Sequence, residues 1–284
     1  MKTLLVLTNF SPNATNAAEY GYDLAGKLGA NIILCNAIDV QEQVPQGSFV
    51  AWPMEGEDIS QDLSNTELME LRRHLEYRNT SGFNSTVHCM NYSGPVEDIF
   101  ENSVGRYKID MIVVGTHESG NLRNIFRRNH NIILITQTTV PLLLVPPTAI
   151  ASNKNRIAFA TDLKSVDIDF QYLIALVPIA RLLHADILIA HIGDAQDVSP
   201  MAAQYKERLL TRISNEVDYP HFYFKFLTAS YADVGLESLC ESENISILAV
   251  LPRKHSFIKN LLSPGITQKI VKHLSIPILI FPSQ

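Results

Sequence analysis

Short, mostly apolar runs alternate along the whole chain with longer stretches whose apolar positions recur every three or four residues. In the first half the runs are TLLVLT (3–8), NIILCNAI (31–38), STVHCMN (85–91), DMIVVG (110–115) and PLLLVP (141–146). They are continuous rather than alternating, the pattern of strands covered on both faces, and such strands belong to a parallel sheet with helices above and below. Between the first two runs, Ser11 is placed to cap a helix and Pro12 suits its first position. Ala17, Tyr20, Leu24 and Leu28 then follow at helical spacing, and Gly29 closes the stretch.

The second half repeats the order with RIAFAT (156–161), DILIAHI (186–192), HFYFKFLT (221–228), SILAVL (246–251) and PILIF (277–281). Pro178 stands inside its first helical stretch, where a kink or the loss of one backbone hydrogen bond is expected. From Asp110/Ser246 to Pro141/Pro277 the halves align at a constant offset of 136, whereas Asn9 and Asp162 differ by 153. The first half therefore carries extra material after its second strand. It reads VQEQVPQGSFVAWPMEGEDISQDL, expected as a long surface connection leading into a helix around 61–79. A turn-forming stretch, PPTAIASNKNR (146–156), places the boundary between domains 1–148 and 149–284. The expected fold class is α/β, with two tandem Rossmann-like domains packed together.

Composition narrows the function. The chain has 46% hydrophobic residues and a formal net charge of -6. Residues 1–147 hold 10 Lys/Arg against 16 Asp/Glu, and residues 148–284 hold 13 against 13. That balance exerts no general pull toward nucleic acid or acidic membranes. Cys35, Cys89 and Cys240 are far apart and form no CxxC pair, so buried inert thiols are expected. The opening apolar run is too short for a secretory leader, and no run reaches the roughly 18–20 residues of a membrane span, so a cytoplasmic location is expected.

A doubly wound sheet binds ligands beyond the carboxyl ends of its strands. Asn9 and Asp162 follow the first strand of each half. A side chain there can meet a ribose or base edge, or simply cap the strand-to-helix turn. Thr8 and Thr161 read as local turn residues, since no base is positioned for either. After the fourth strands come GTHESGNLRNIFRRNHN (115–131) and LPRKHSFIKNLLSPGIT (251–267). Gly115 and Gly120 permit some backbone approach to an anion, and Arg123, Arg127 and Arg128, or Arg253, Lys254 and Lys259, offer charge. Gly265 follows Pro264, which has no N–H to give. Neither GxxxxGK[ST] nor GxGxxG occurs, nor HExxH or GxSxG. Asp167 and Asp169 sit near a helix start and favour its dipole. No catalytic or metal-ligating set is assigned.

VLTNFSPNATNAAEYGYDLAGKLGA, VVGTHESGNLRNIF and TVPLLLVP, with FATDL and KHSFIKNLLSPGITQKIVKHLSIPILI in the second half, resemble a tandem member of the universal stress protein family. The resemblance implies five-stranded parallel sheets of order 3-2-1-4-5 flanked by helices. It also implies final strands that pair, so that 141–146 and 277–281 meet within one chain as a pseudo-dimer, with a further homodimer open. Some members bind ATP through an Asp after strand one and a loop of pattern GxxG, nine residues, then G[ST]. Here the Asp position is Asn9 or Asp162. The first glycine is Gly115 or Leu251, the second Glu118 or Lys254, and the closing pair Arg128-Asn129 or Pro264-Gly265. These departures argue against ordinary Mg–ATP binding, and no cofactor is assigned. What they leave is a stress-response or regulatory protein without enzymatic activity that binds protein partners. The alternative is an ATP, AMP or small-anion sensor using a modified crevice at Asn9, Gly115, Asp162, Lys254 and Gly265, foremost in the second domain.

Overall fold

The computed structural model describes residues 3–38, 54–78, 83–94, 99, 104–116, 138–151, 155–193, 200–229, 232–251 and 275–282. In chain order the first half contains β1 (Thr3–Thr8), α1 (Pro12–Leu28), β2 (Asn31–Ile38), α2 (Met54–Glu76), β3 (Val87–Ser93), β4 (Met111–Gly115) and β5 (Leu142–Val145). The second contains β6 (Arg156–Ala160), α3 (Val166–Leu183), β7 (Asp186–Gly193), α4 (Pro200–Glu216), β8 (Phe222–Thr228), α5 (Ala232–Ser242), β9 (Ile247–Val250) and β10 (Ile278–Ile280). The continuous apolar runs become strands because a parallel sheet with helices on it buries both faces of each strand. Leu4, Leu5, Val6, Ile112, Val113, Ala158 and Leu248 are all fully buried.

All ten strands form one sheet, in the order β3-β2-β1-β4-β5-β10-β9-β6-β7-β8. Each half thus has the order 3-2-1-4-5, in keeping with the expectation. Neighbours are parallel except at the centre, where β5 and β10 run antiparallel with Leu142 opposite Ile280, Leu143 opposite Leu279 and Leu144 opposite Ile278. These six side chains are buried. Burial of each contributes roughly 1.5–3 kcal/mol, so the two halves share a core instead of touching at a polar interface. Edge strands expose unpaired backbone, and this union hides two such edges.

The helix ends follow local chemistry. Ser11 Oγ accepts from Ala14 N at 3.3 Å, and Gly29 closes α1 at φ 63 with its N–H on the Ala25 carbonyl. In α3 the corresponding caps are Ser165, whose Oγ accepts from Ile168 N at 3.3 Å, and His184 at φ 50. α3 continues through Pro178, whose missing N–H deprives the Ile174 carbonyl of its helical donor. Among the described residues no helix is long and apolar enough to cross a membrane.

One expectation is corrected. Helix α2 starts at Met54, inside the stretch read as a surface connection. Its helical run takes in Glu55, Glu57 and Asp58, so that part of the stretch is helix and not connection. Their density in sequence suggests a solvated loop, yet the same density suits a helix start.

Candidate functional site

The carboxyl end of β1 turns sharply into α1. Thr8 Oγ1 accepts from Phe10 N at 3.0 Å, Asn9 Oδ1 accepts from Ser11 N at 3.2 Å, and Phe10 is held at φ 61 between them. In the second half Thr161 Oγ1 accepts from Leu163 N at 3.1 Å, Asp162 Oδ1 accepts from Lys164 N at 3.2 Å, and Leu163 stands at φ 57. A non-glycine residue at positive φ is uncommon, and side chains that hydrogen-bond two residues onward support such turns. Asn9 and Asp162 therefore hold the same position in the same turn. Both of the threonines expected as turn residues are turn residues.

Beyond this shared turn the halves differ. The Asn9 side of the crevice is built from amides and a hydroxyl. The strand registers bring Thr8, Asn36 and Asn91 side by side across the carboxyl ends of β1, β2 and β3. Asn36 Nδ2 donates to Ser64 Oγ at 2.7 Å, Ser64 Oγ donates to Asn91 Oδ1 at 2.5 Å, and Asn91 Nδ2 donates to Asn65 Oδ1 at 2.7 Å. The network ties α2 to the two strands.

In the second half the carboxylate of Asp162 is only 7% exposed and lies 3.7 Å from Lys164 Nζ. Behind it is a buried group that the periodicity of α3 could have revealed. Asp169 has no exposure at all. It shares a helix face with Leu173 and Leu176, which are buried too, so its spacing marks a core position despite its charge. Its Oδ2 accepts hydrogen bonds from the hydroxyls of Thr161 and Tyr205. His191 Nδ1 donates to the Thr161 carbonyl at 2.9 Å. Asp169 does stand in the first turn of α3, where acids favour the helix dipole, and it is not turned to solvent there. The buried carboxylate instead locks the start of α3 to β6 and α4.

Gly115 ends β4, and the start of α1 presses against it. A Cβ built there would come within 2.6 Å of the Asn13 carbonyl oxygen and 3.2 Å of Ala17 Cβ. Gly21 makes a similar approach to Val6 at 3.2 Å. Together with Ala14, Ala17, Ala18 and Ala25, these small residues let α1 lie closely on β1 and β4, whereas α3 packs through Phe170, Leu173, Leu176 and Val177. The counterpart of Gly115 in the second half, Leu251, is buried. Of the five candidate site residues, Asn9 and Gly115 stand at the carboxyl ends of the neighbouring strands β1 and β4, and Asp162 follows β6 in the other half. Lys254 and Gly265 lie outside the described residues, as do Glu118, Arg128 and the rest of both loops.

Among the described residues no group of three or more His, Cys, Asp or Glu side chains is placed to hold a metal ion. Cys35 is buried, and burial pushes its thiol up to about 12. Cys240 is buried as well, and Cys89 is half-buried with its thiol raised by the same cause.

A family model described as the universal stress protein family matches residues 1–146. Among curated proteins none matches the chain. A solved universal stress protein from Archaeoglobus fulgidus is similar at 13% identity and a TM-score of 0.71, with 99% of this chain and 96% of that one covered. A functionally unknown protein from Pseudomonas aeruginosa is similar at 13% identity and a TM-score of 0.57, covering 99% and 92%. At such identities the likeness to these structures is one of fold.

Proposed function

The chain belongs to the universal stress protein family, and from that premise we propose that it is a stress-response or regulatory binding protein without enzymatic activity, built from domains 1–148 and 149–284. The supporting observation is the use the protein makes of its own crevice side chains. Asn9 Oδ1 and Asp162 Oδ1 both accept from the backbone two residues onward, and Gly115 is filled from outside by the Asn13 carbonyl. The positions that would greet a nucleotide are engaged in holding turns and packing α1. A site aimed at a phosphate chain instead needs backbone N–H groups turned toward it. Calorimetry of the freshly purified chain with ATP, ADP and AMP, with and without magnesium, tests this reading. Absence of saturable heat supports it, and stoichiometric capture of Mg–ATP that is lost in Asp162→Ala overturns it.

A second reading is favoured by Asp162 itself. The second half keeps an acid after its first strand, beside Lys164, where the first half has an amide. A modified crevice using Asp162, Lys254 and Gly265 would take AMP or another small anion more readily than a triphosphate. Binding of AMP or inorganic phosphate without ATP, abolished by Lys254→Ala, would select this reading over the first.

A further inference from the structure

Residues 146–155 join β5 to β6 and so carry the chain from one half of the sheet to the other. The first half holds the start of this connection. Thr116 N donates to the Val145 carbonyl at 2.9 Å, and Asn16 Nδ2 donates to the carbonyls of Pro146 and Ala149 at 3.1 and 3.3 Å. Ala149 N closes a turn on the Pro146 carbonyl at 3.0 Å, and Ala149 is buried. One amide on α1 therefore holds both ends of the turn with which the connection begins.

That amide lies close to the crevice turn. A phenylalanine at φ 61 persists only where its surroundings hold it, and Phe10 is held by Thr8 Oγ1 and Asn9 Oδ1. The nitrogen that Asn9 engages belongs to Ser11, the residue whose hydroxyl caps α1. Asn13 then sets its carbonyl against Gly115, and Asn16 follows three residues later. From Pro12, the first residue of the helix, to Asn16 is about 6 Å at the helical rise. There is little slack over this distance. Gly115 meets backbone and not a side chain, and Gly21 with the alanines lays the helix closely on β1 and β4. Interiors packed in this way compress little and pass strain on.

The second half has the same turn without the same hold. Counted back thirteen residues from the left-handed caps Gly29 and His184, the positions are Asn16 on α1 and Gln171 on α3, and Gln171 is exposed. Helix α3 is tied instead through Asp169 to Thr161 and Tyr205, and through Tyr172, whose hydroxyl donates to the Pro282 carbonyl at 2.9 Å. All these partners lie in the second half. We propose that the first two turns of α1 are a relay between the crevice at Asn9 and the joint of the two halves. Withdrawing Asn9 Oδ1 from Ser11 N frees the Phe10 turn, shifts the start of α1 and loosens the hold of Asn16 on the connection. A change at Asn9 reaches the joint, and a change at Asp162 does not. This coupling goes beyond the function proposed above and exists whether or not either crevice holds a ligand.

Hydrogen–deuterium exchange of the full chain, read by mass spectrometry on peptides covering 146–155, 31–38 and 246–250, measures the coupling. Asn16→Ala is expected to speed exchange in the connection about tenfold and to leave the two strand peptides unchanged. Asn9→Ala should speed the same amides at least about threefold, although among the described residues no hydrogen bond joins Asn9 to the connection. Asn9→Asp keeps the acceptor that Asp162 supplies in the second half and should exchange at the parent rate. The double variant Asn9→Ala/Asn16→Ala should exchange no faster than Asn16→Ala alone, because both substitutions break one path. Asp162→Ala should leave the connection protected. A connection indifferent to Asn9→Ala or to Asn16→Ala overturns the proposal. So does a double variant in which the two effects multiply, an Asp162→Ala that opens the connection as far, or a rise shared by the strand peptides.

Discussion

A Cβ on Gly115 would stand 2.6 Å from the backbone carbonyl oxygen of Asn13. A side chain's far end could swing away from such a clash, but backbone cannot. Gly115→Ala is therefore expected to lift the first turn of α1 off β4 and to cost about 1–3 kcal/mol, as overpacking of a tight core does. Urea unfolding without any nucleotide present checks it. Wild-type stability would mean that the glycine serves a ligand and not the fold.

The buried carboxylate of Asp169 supports a second expectation. Tyr205→Phe removes one of its two hydroxyl donors and should cost about 1–2 kcal/mol. Asp169→Ala removes the carboxylate that both hydroxyls reach and opens space besides, for about 2–4 kcal/mol. Chemical denaturation of the two single variants and the double variant measures the coupling, which should make the combined loss smaller than the sum.

Glu243 introduces a pH dependence. The hydrogen bond from Lys225, followed by the charges of Lys225 and Arg156, holds its carboxyl below the usual 4.5. Arg156 reaches it at 2.7 Å. The folded chain thus binds a proton at this site less readily than the unfolded chain. The resulting stabilisation is complete above pH 4.5 and is lost as the pH falls through the lower folded value. Glu243→Gln should lower stability by about 0.5–1 kcal/mol at neutral pH, and the difference from wild type should shrink below pH 4.5. Thermal melts across pH 3 to 7, in about half-unit steps, check both the size and the direction.

Cys35, its thiol pushed up to about 12, should resist alkylation at pH 8 while the chain is folded and react once it is unfolded. Half-buried Cys89 should be modified ahead of it. Peptide mapping after timed exposure to iodoacetamide reads the order, and early labelling of Cys35 would contradict its burial.

Much of this architecture was legible because strands and helices obey different periods. The apolar runs gave away nearly every strand, Ser11, Pro12 and Gly29 marked both ends of α1, and the 136-residue offset betrayed the repeat. The meeting of 141–146 with 277–281 came from family resemblance and not from pattern, since an apolar strand carries no label for its neighbour, and the register of Leu143 opposite Leu279 came from the structure alone. The start of α2 was hidden because acids suit both a loop and a helix N-terminus. The burial of Asp169 went unread because its charge was weighed above its phase on the helix. That Gly115 makes room for the Asn13 carbonyl went unread, because sequence alone does not reveal which backbone a helix start brings near.

The central β5–β10 pairing has one more consequence. Two separate subunits joined by such strands would come apart on dilution, and their joining surfaces would have to match themselves. Here both strands belong to one polypeptide, linked through residues 146–155 and the rest of the second half, so their local concentration is set by the tether and not by the cell. Freed from self-matching, the Leu142–Val145 segment can differ from Ile278–Ile280, and each half can drift toward its own task without loosening their union.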